Sequence, residues 1–485
     1  MSTPSKAASK QKVRIRMYRP GLGDCFLLSF GNGKAAHHLL IDCGVLQNTD
    51  GQEERLEKIV KDILKETGGK LSALVATHEH ADHLSGFGFQ KDRFKNEFEI
   101  SQVWMGWTEN KADPEVKETF RQYWKITTET LDIAIQELQK KGKDYAQYEQ
   151  VMEFLKPGAM DVVKEWGKEQ LYLAPEPGAD GPEKIVELQD LPNVRFHVLA
   201  PPKELAALKR GDPPKSKHQL DQGEPLNQST ALTTAIYQLG LQNKTLPASQ
   251  VVLSDLEELI KASLPFDSAR GISLEAAVED EFFKDHYGIE GDLARDWQRI
   301  DTDWLESIGS LALDLDSDIN NTSLVLAIEL LPSEKVLLFC GDAQYGNWKS
   351  WTDTPKGKDL LKRTIFYKVG HHGSHNATQL EGGLLEMTSS DLVAMIPVDR
   401  EKAQKRDWEM PALLLERLLK GQTKGRLISA FGERPAGEQR PILPFQKPVI
   451  PEDGSIPKPV WGQFIKKVKA DLSEDALWVD YTLTA

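Results

Sequence analysis

The chain has 485 residues, 40% of them hydrophobic and 28% charged, which suits a globular protein and excludes low-complexity and fibrous classes. Its length fits one large domain with insertions or two or three ordinary ones. With 74 acidic against 60 basic residues the formal net charge is -14, which disfavours a whole surface built for polyanions, since phosphate affinity comes mainly from Lys and Arg; a local basic groove stays compatible with it.

The opening "MSTPSKAASKQKVRIRMY" is basic but has no apolar h-region, and no later run approaches the roughly 18 apolar residues of a membrane span. The expectation is a cytoplasmic protein without membrane spans. Cys25, Cys43 and Cys340 lie in or beside apolar runs with no CxxC spacing, so buried reduced thiols are expected rather than disulfides or a zinc-thiolate site.

In chain order, "VRIRMYRPGLGDCFLLSF" (13–30) predicts a hairpin around the turn at 21–24, and "HHLLIDCG" from His37 a third strand. Leu56, Ile59, Val60, Ile63 and Leu64 share one helical face that Gly68 and Gly69 close. "LSALVAT" (71–77) predicts a short buried strand, followed by "HEHADHLSG" in the loop at its C-terminal end, where α/β folds place ligands. Residues 113–155 suggest an exposed helical hairpin, 193–202 a strand, and the polar stretch 209–230 a linker or mobile loop. "TSLVLAIELLPSEKVLLFCGDA" (322–343) predicts a hairpin with Asp342 just past its second arm. "TIFYKVGHHGSHNAT" (364–378) repeats the pattern of strand, glycine and two histidines. A strand from Asp391, an amphipathic helix from Met410, a Pro-rich surface excursion at 434–460 and an edge strand at "LWVDYTL" complete the expectations.

In HxHxDH, His78 and His80 are two residues apart and can converge on one ion, while Asp82 and His83 can reach a second. Imidazole with carboxylate suits zinc, manganese or iron better than calcium. A lone His-x-His is more often a surface feature and Gly-Asp after a strand more often a turn. Their shared placement at strand ends favours metal binding. Asp342 would bridge the ions with one oxygen to each, and His371 or His372 would complete the second site. Two ions so held lie on the order of 3.5–4 Å apart and supply a hydroxide near neutral pH.

This combination resembles the metallo-β-lactamase fold superfamily. More narrowly, "GLGDCFLLSF", "LLIDCG", "NNTSLVLAIE", "LLFCGDA" and "YKVGHHGS" resemble, in this order, the hydrolase domain of the competence protein ComEC and its soluble relatives, a branch that includes a phosphorylcholine esterase of teichoic acids. The resemblance covers roughly 13–105, 193–202 and 320–430. It implies an α/β fold, a four-layer αββα metallo-β-lactamase sandwich with a largely helical insertion. The first half of that domain, with its helical hairpin insert, would occupy 1–203, an insertion or cap subdomain 204–318, and the second half with a C-terminal extension 319–485.

Carried over residue by residue, the resemblance assigns His78 and His80 to one metal, Asp82 and His83 to the other, Asp342 to the bridge and His372, in preference to His371, to the second ion. Asp42 matches the early acid that orients a ligating histidine, and Asp24 the "GxGD" turn, where capping that turn is the simpler role. The cofactors implied are two divalent ions, Zn or Mn. Asp82, His371 and His375 form the expected catalytic set, with His371 or His375 protonating the leaving oxygen. Ser374 could hold a non-bridging oxygen or merely cap its loop. Where β-lactamases and glyoxalase-type thioesterases supply another histidine, this chain has Asn320, Asn321, Thr322 and Ser323. The ComEC-like branch shows the same substitution, and Asn321 is expected behind the ligands rather than on an ion. Met410 stands where relatives often have a histidine before the proline and cannot transfer protons.

The leading expectation is a dinuclear phosphodiesterase or nuclease acting on nucleic acid, a nucleotide or a related phosphoester. Rival readings are a phosphorylcholine-type or other ester hydrolase, or a metal-stabilised binding or effector module that engages a protein partner through 204–318.

Overall fold

The computed structural model describes residues 11–47, 51–114, 159–209, 279–287, 315–406, 408–431, 448–451 and 455–484, with residue 276 and scattered positions between 116 and 139. The helical hairpin at 113–155, the loop at 209–230, the insertion at 204–318 and the tract at 434–460 fall largely outside these residues. The chain divides into two compact units. One comprises Met1–Lys111, Glu153–Pro213 and Ser317–Ala485, the other Ala112–Met152 and Pro214–Asp316. In the second unit the described residues include a helix, Glu281–Tyr287.

In the first unit, strands β1 (Lys12–Tyr18), β2 (Cys25–Phe30), β3 (His37–Cys43), β4 (Lys70–Ala76), β5 (Glu99–Gly106), β6 (Glu169–Leu173), β14 (Val468–Ala470) and β15 (Trp478–Thr484) form one sheet. Their order is β14-β15-β1-β2-β3-β4-β5-β6. Strands β7 (Lys184–Glu187), β8 (Val194–Ala200), β9 (Val325–Leu330), β10 (Lys335–Phe339), β11 (Thr364–Lys368), β12 (Val393–Ile396) and β13 (Leu427–Ser429) form the other. Their order is β13-β12-β11-β10-β9-β8-β7. Both sheets switch from antiparallel to parallel pairing, at β3–β4 and at β10–β11.

The inner faces pack on each other through one apolar core that includes Val13, Ile15, Phe26 and Leu28 from the first sheet and Phe196, Val198, Leu326 and Phe339 from the second. Phe26 and Phe339 meet edge-on at 5.8 Å and Trp104 and Phe196 at 4.9 Å, the geometry aromatic quadrupoles favour. Helices cover both outer faces. Leu56, Ile59, Val60 and Ile63 of α1 (Gln52–Thr67), Leu84 and Phe87 of α2 (Ala81–Phe89), and Met160 and Val163 of α3 (Ala159–Lys164) pack on Leu27, Leu40 and Leu74. Trp348 and Trp351 of α4 (Tyr345–Thr352), Leu360 and Leu361 of α5 (Pro355–Arg363), and Leu415 and Leu419 of α6 (Leu413–Gln422) pack on Leu338, Tyr367 and Ala394. The result is a four-layer αββα sandwich of mixed α/β class, as expected from the resemblance. Being covered on both faces, β2, β9, β11 and β12 are buried throughout, which is why their sequences run apolar without alternation.

One strand differs from expectation. "LWVDYTL" is not at a sheet edge: β15 lies between β14 and β1, paired with β1 from Lys12↔Thr484 to Tyr18↔Trp478. Its buried Asp480 accepts from Arg16 Nε at 2.7 Å and from the second guanidinium nitrogen at 2.9 Å. Local sequence carries no signal of this pairing, because the partner strand is at the other end of the chain. No helix among the described residues is long and apolar enough to cross a membrane. Cys25, Cys43 and Cys340 are unpaired, buried thiols.

Candidate metal centre

The central strands of the two sheets end at one place, and the residues that follow them converge there. His78 lies just past β4, Asp342 just past β10 and His371 just past β11, while Asp42 is near the end of β3. The HxHxDH stretch straddles loop and helix. His80 is extended and immediately precedes α2, and Asp82 and His83 occupy that helix's first turn. Two glycine turns support the helix start from below. Asp24 N–H donates to Asp82 O at 2.9 Å and Gly44 N–H to Asp24 O at 2.9 Å. A Cβ on Gly23 would sit 2.8 Å from Asp82 O, and one on Gly44 2.4 Å from it, so the backbones pass too closely for any side chain.

The four imidazoles expected as ligands are oriented by what their ring nitrogens touch. Asp42, held by the backbone N–H of Thr77 at 2.8 Å and by its hydroxyl at 2.7 Å, lies 2.7 Å from His83 Nδ1. That contact leaves Nε2 to face inward, 3.1 Å from Asp342 Oδ2. His78 Nδ1 lies 3.1 Å from the Thr77 hydroxyl, and its Nε2 lies 3.1 Å from His80 Nδ1. His372 Nδ1–H donates to Pro397 O at 2.6 Å, and its Nε2 lies 3.0 Å from Asp82 Oδ2. A backbone carbonyl or carboxylate behind an imidazole is how a ligating tautomer is fixed.

Asp342 divides its two oxygens. Oδ1 accepts from His371 N–H at 2.8 Å and from Lys368 Nζ at 3.2 Å, whereas Oδ2 faces His83 Nε2 at 3.1 Å. Oδ1 thus has an ammonium and an amide as partners, and Oδ2 is the oxygen directed at the histidine cluster.

All of these groups are buried, and burial sets their protonation. Burial and the neighbouring His83 hold His78 well below the ordinary histidine range, and burial lowers His80 to about 4; both are neutral donors at pH 7. For His83 and His372 burial acts the same way but is outweighed, by Asp342, Asp24 and Asp42 around His83 and by Asp82 against His372, so both lie above the usual value. Burial pushes Asp82 and Asp342 up, but the facing histidines, and for Asp342 also Lys368, hold both below the usual carboxylate range. Protons on His83 and His372 thus balance carboxylates that a cation would otherwise balance.

The donor set fits divalent ions. Ligand atoms of His78, His83 and Asp342 lie within 4.8 Å of one another, as do those of Asp24, Asp42 and His83. Two imidazole nitrogens at about 2.0–2.1 Å from a tetrahedral ion are roughly 3.4 Å apart, close to the His78–His80 separation. Buried Asp82 Oδ1 has no hydrogen-bond partner among the described residues, a costly state that a cation relieves. In the group around Asp24, both Asp42 oxygens are already taken by Thr77 and His83 and Asp24 Oδ2 meets Lys368, an arrangement that supports the cluster from behind.

The "HHGS" turn is unusual in its backbone. His371 and His372 have φ of 42° and 52°, and Gly373 of 81°, left-handed values that non-glycine residues hold only under tertiary constraint. The constraint is visible: Ala412 N–H donates to Gly373 O at 2.9 Å, and a Cβ on Gly373 would lie 2.6 Å from Pro411 Cβ. The "WEMP" segment and Ala412 after it thus buttress this turn.

Other expected residues lie apart from the cluster. Ser374 Oγ donates to Asn376 Oδ1 at 2.5 Å, closing its own loop. His375 is exposed; the turn closed by Ser374 N–H on His371 O precedes it, and no hydrogen bond or ion pair joins it to the cluster among the described residues. Asn321 Oδ1 accepts from the N–H groups of Gln344 and Asn347 at 3.2 and 3.1 Å, capping α4 from a distance, and its Nδ2 donates to Leu208 O at 3.0 Å. Sequence reasoning missed Lys368, whose Nζ donates to Gly341 O at 2.9 Å and meets Asp24 and Asp342. A single lysine in the otherwise apolar run "TIFYKVG" was its only signal.

Residues 18–181 match the family model described as the metallo-beta-lactamase superfamily, and the chain carries a domain of that kind there. No curated protein matches the chain. The matched residues include the HxHxDH motif, Asp24 and Asp42, but not Asp342 or the "HHGS" turn. Members of that superfamily are generally hydrolases that bind divalent metals. With the buried His/Asp groups, the match supports a metal-dependent hydrolase.

Proposed function

We propose that the chain is a two-ion phosphodiesterase, with nucleic acid or a nucleotide-derived diester as its substrate class and Zn or Mn as its metal. His78 Nε2 and His80 Nδ1 would bind one ion, and Asp82, His83 Nε2 and His372 Nε2 the other, with Asp342 Oδ2 shared between them. The ions would supply an activated water and neutralise charge growing on the phosphoryl oxygens.

The observation that carries the phosphoester reading is the use made of Asn321. Where a further histidine would serve a β-lactamase or thioesterase, this asparagine spends its carbonyl on the N-terminus of α4 and its amide on Leu208 O. One ion would therefore have few protein ligands and be open to a phosphoryl oxygen. The resemblance to the ComEC hydrolase domain, which shares that substitution, favours the same class. His371 is the residue suited to relay a proton: among the described residues its Nδ1 has no hydrogen-bond partner, burial lowers its basicity so that its neutral imidazole could take the proton of the attacking water and pass it to the leaving oxygen, and its backbone N–H is anchored on Asp342. His375 and Ser374 have no such connection.

The test is turnover by metal-stripped protein reloaded with Mn or Zn, against a generic phosphodiester, single-stranded and duplex DNA, RNA, p-nitrophenyl phosphorylcholine, a lactone and a thioester. Metal-dependent cleavage of the generic diester and of a nucleic acid is expected. Preference for the choline ester, lactone or thioester would overturn the substrate class, and bound metal without turnover of any of them would favour a binding module.

A further inference from the structure

Behind the candidate ligands lies a buried charge that the proposed reaction does not use. Lys368, the last residue of β11, is buried with Asp24. Its three ammonium protons have three acceptors: Gly341 O, Asp342 Oδ1 and Asp24 Oδ2. Asp24 comes from the other sheet, in the glycine turn whose N–H supports Asp82, so one ion pair links the supports of Asp82 and Asp342. Burial opposes the charged ammonium, yet Asp24 and Asp342 outweigh it and hold Lys368 above the ordinary lysine range. Burial raises the Asp24 carboxyl while Lys368 opposes it; the direct Nζ–Oδ2 contact makes the ion pair the relevant form.

Burying an ammonium costs several kcal/mol before its partners repay it, and a methionine of similar length would fill the space without that cost. The consequence of the charge lies in the carboxylates it touches. Asp24, Asp42, Asp82 and Asp342 are buried together with this one ammonium, and without cations the protons on His83 and His372 offset much of the remaining negative charge. An Asp342 side chain freed from Lys368 could turn both oxygens to one ion.

We infer that Lys368 is a positioning residue: with Asp24 as its counter-ion, and together with the His371 N–H, it occupies Oδ1 of Asp342 and so leaves Oδ2 as the oxygen that would face the metal ions. The inference rests on the two-ion reading of the cluster. It assigns opposite electrostatic effects to the two partners. Lys368→Met makes the centre more anionic and keeps its ions, but misplaces the bridge. Asp24→Asn leaves the ammonium to Asp342 alone and weakens ion binding.

The experiment loads full-length wild type, Lys368→Met, Lys368→Arg, Asp24→Asn and the Asp24→Asn/Lys368→Met double variant with Mn²⁺. It measures ions bound per chain, affinity by calorimetry, the Mn–Mn coupling by electron paramagnetic resonance, and kcat and KM on the generic diester. For Lys368→Met the expected result is two ions at undiminished affinity, an altered Mn–Mn coupling, and a kcat lowered about 10–100-fold at similar KM. Lys368→Arg should recover part of that loss. Asp24→Asn should weaken Mn²⁺ binding about tenfold or more, and the double variant should return affinity toward wild type. A wild-type coupling and kcat in Lys368→Met, or equal weakening of affinity in both single variants, would overturn the inference. Should a single variant fail to fold by circular dichroism, the charge-neutral double variant decides it: a wild-type coupling there also overturns it. A wild type that binds two ions but cleaves no phosphodiester ends the proposed substrate class alone, since the coupling and affinity comparisons need no substrate. A wild type that binds no Mn²⁺ ends both.

Discussion

The two turns that meet at the centre place their histidines by different means. After β4, the stretch from His78 to His83 runs through an extended loop into the first turn of α2, and its rings are fixed by near neighbours, Thr77 and the Asp42 behind it. After β11, His371 and His372 stand in left-handed backbone and depend on Gly373, Pro411 and Ala412 to stay there. The first turn is organised by side-chain and backbone hydrogen bonds, the second mainly by close packing against strained backbone. Changes in the first should therefore act on metal and chemistry with little effect on the fold, and changes in the second on both together.

The largest effect is expected where the turns share a residue. Asp342→Asn should lower kcat by on the order of 10²–10³ or more and reduce the ions bound per chain, measured by plasma mass spectrometry. Near-wild-type turnover in that variant would end the two-ion mechanism. Next, Asp42→Asn removes the acceptor behind His83. A loss of about 10–100-fold in metal affinity or activity is expected, with the chain still folded. A collapse of the fold instead would show that Asp42 holds the fold as much as the site.

The contrast predicts a different outcome for Gly373→Ala, which adds a Cβ against Pro411 at φ 81°. Thermal melts should show about 1–3 kcal/mol of lost stability along with lost activity. Unchanged stability would mean that the second turn is not held by packing. The smallest effect belongs to His375→Ala, expected to stay within about twofold of wild type in kcat because the side chain is exposed, at the scale of ordinary surface substitutions. His371→Ala should be clearly slower at saturating substrate. Equal losses in the two would return His375 to the acid role.

Much of the fold is legible in the sequence where the signals are local. The α1 stripe of Leu56, Ile59, Val60 and Ile63, the 325–339 hairpin and the apolar strands before each histidine turn correspond to observed elements, because periodicity and turn residues act over a few positions. The pairing of β15 with β1 and the capping of α4 by Asn321 had no comparable signal. Each depends on segments far apart in sequence. In the same way "NNTS" reads as a vacancy left by a histidine, whereas the structure gives its second asparagine a definite hydrogen-bonding task.

The sequence by itself determined which side chains are available for the centre and that strand ends would deliver them, since HxHxDH, Gly-Asp and His-His each follow an apolar run. Only the tertiary structure decided how those groups divide their atoms. It directs Asp42 to one face of His83, spends Oδ1 of Asp342 on Lys368 and His371, and turns His375 out to solvent. The reason is physical: residue identity states what a group can donate or accept, but which atom stays open depends on neighbours brought in by the other sheet.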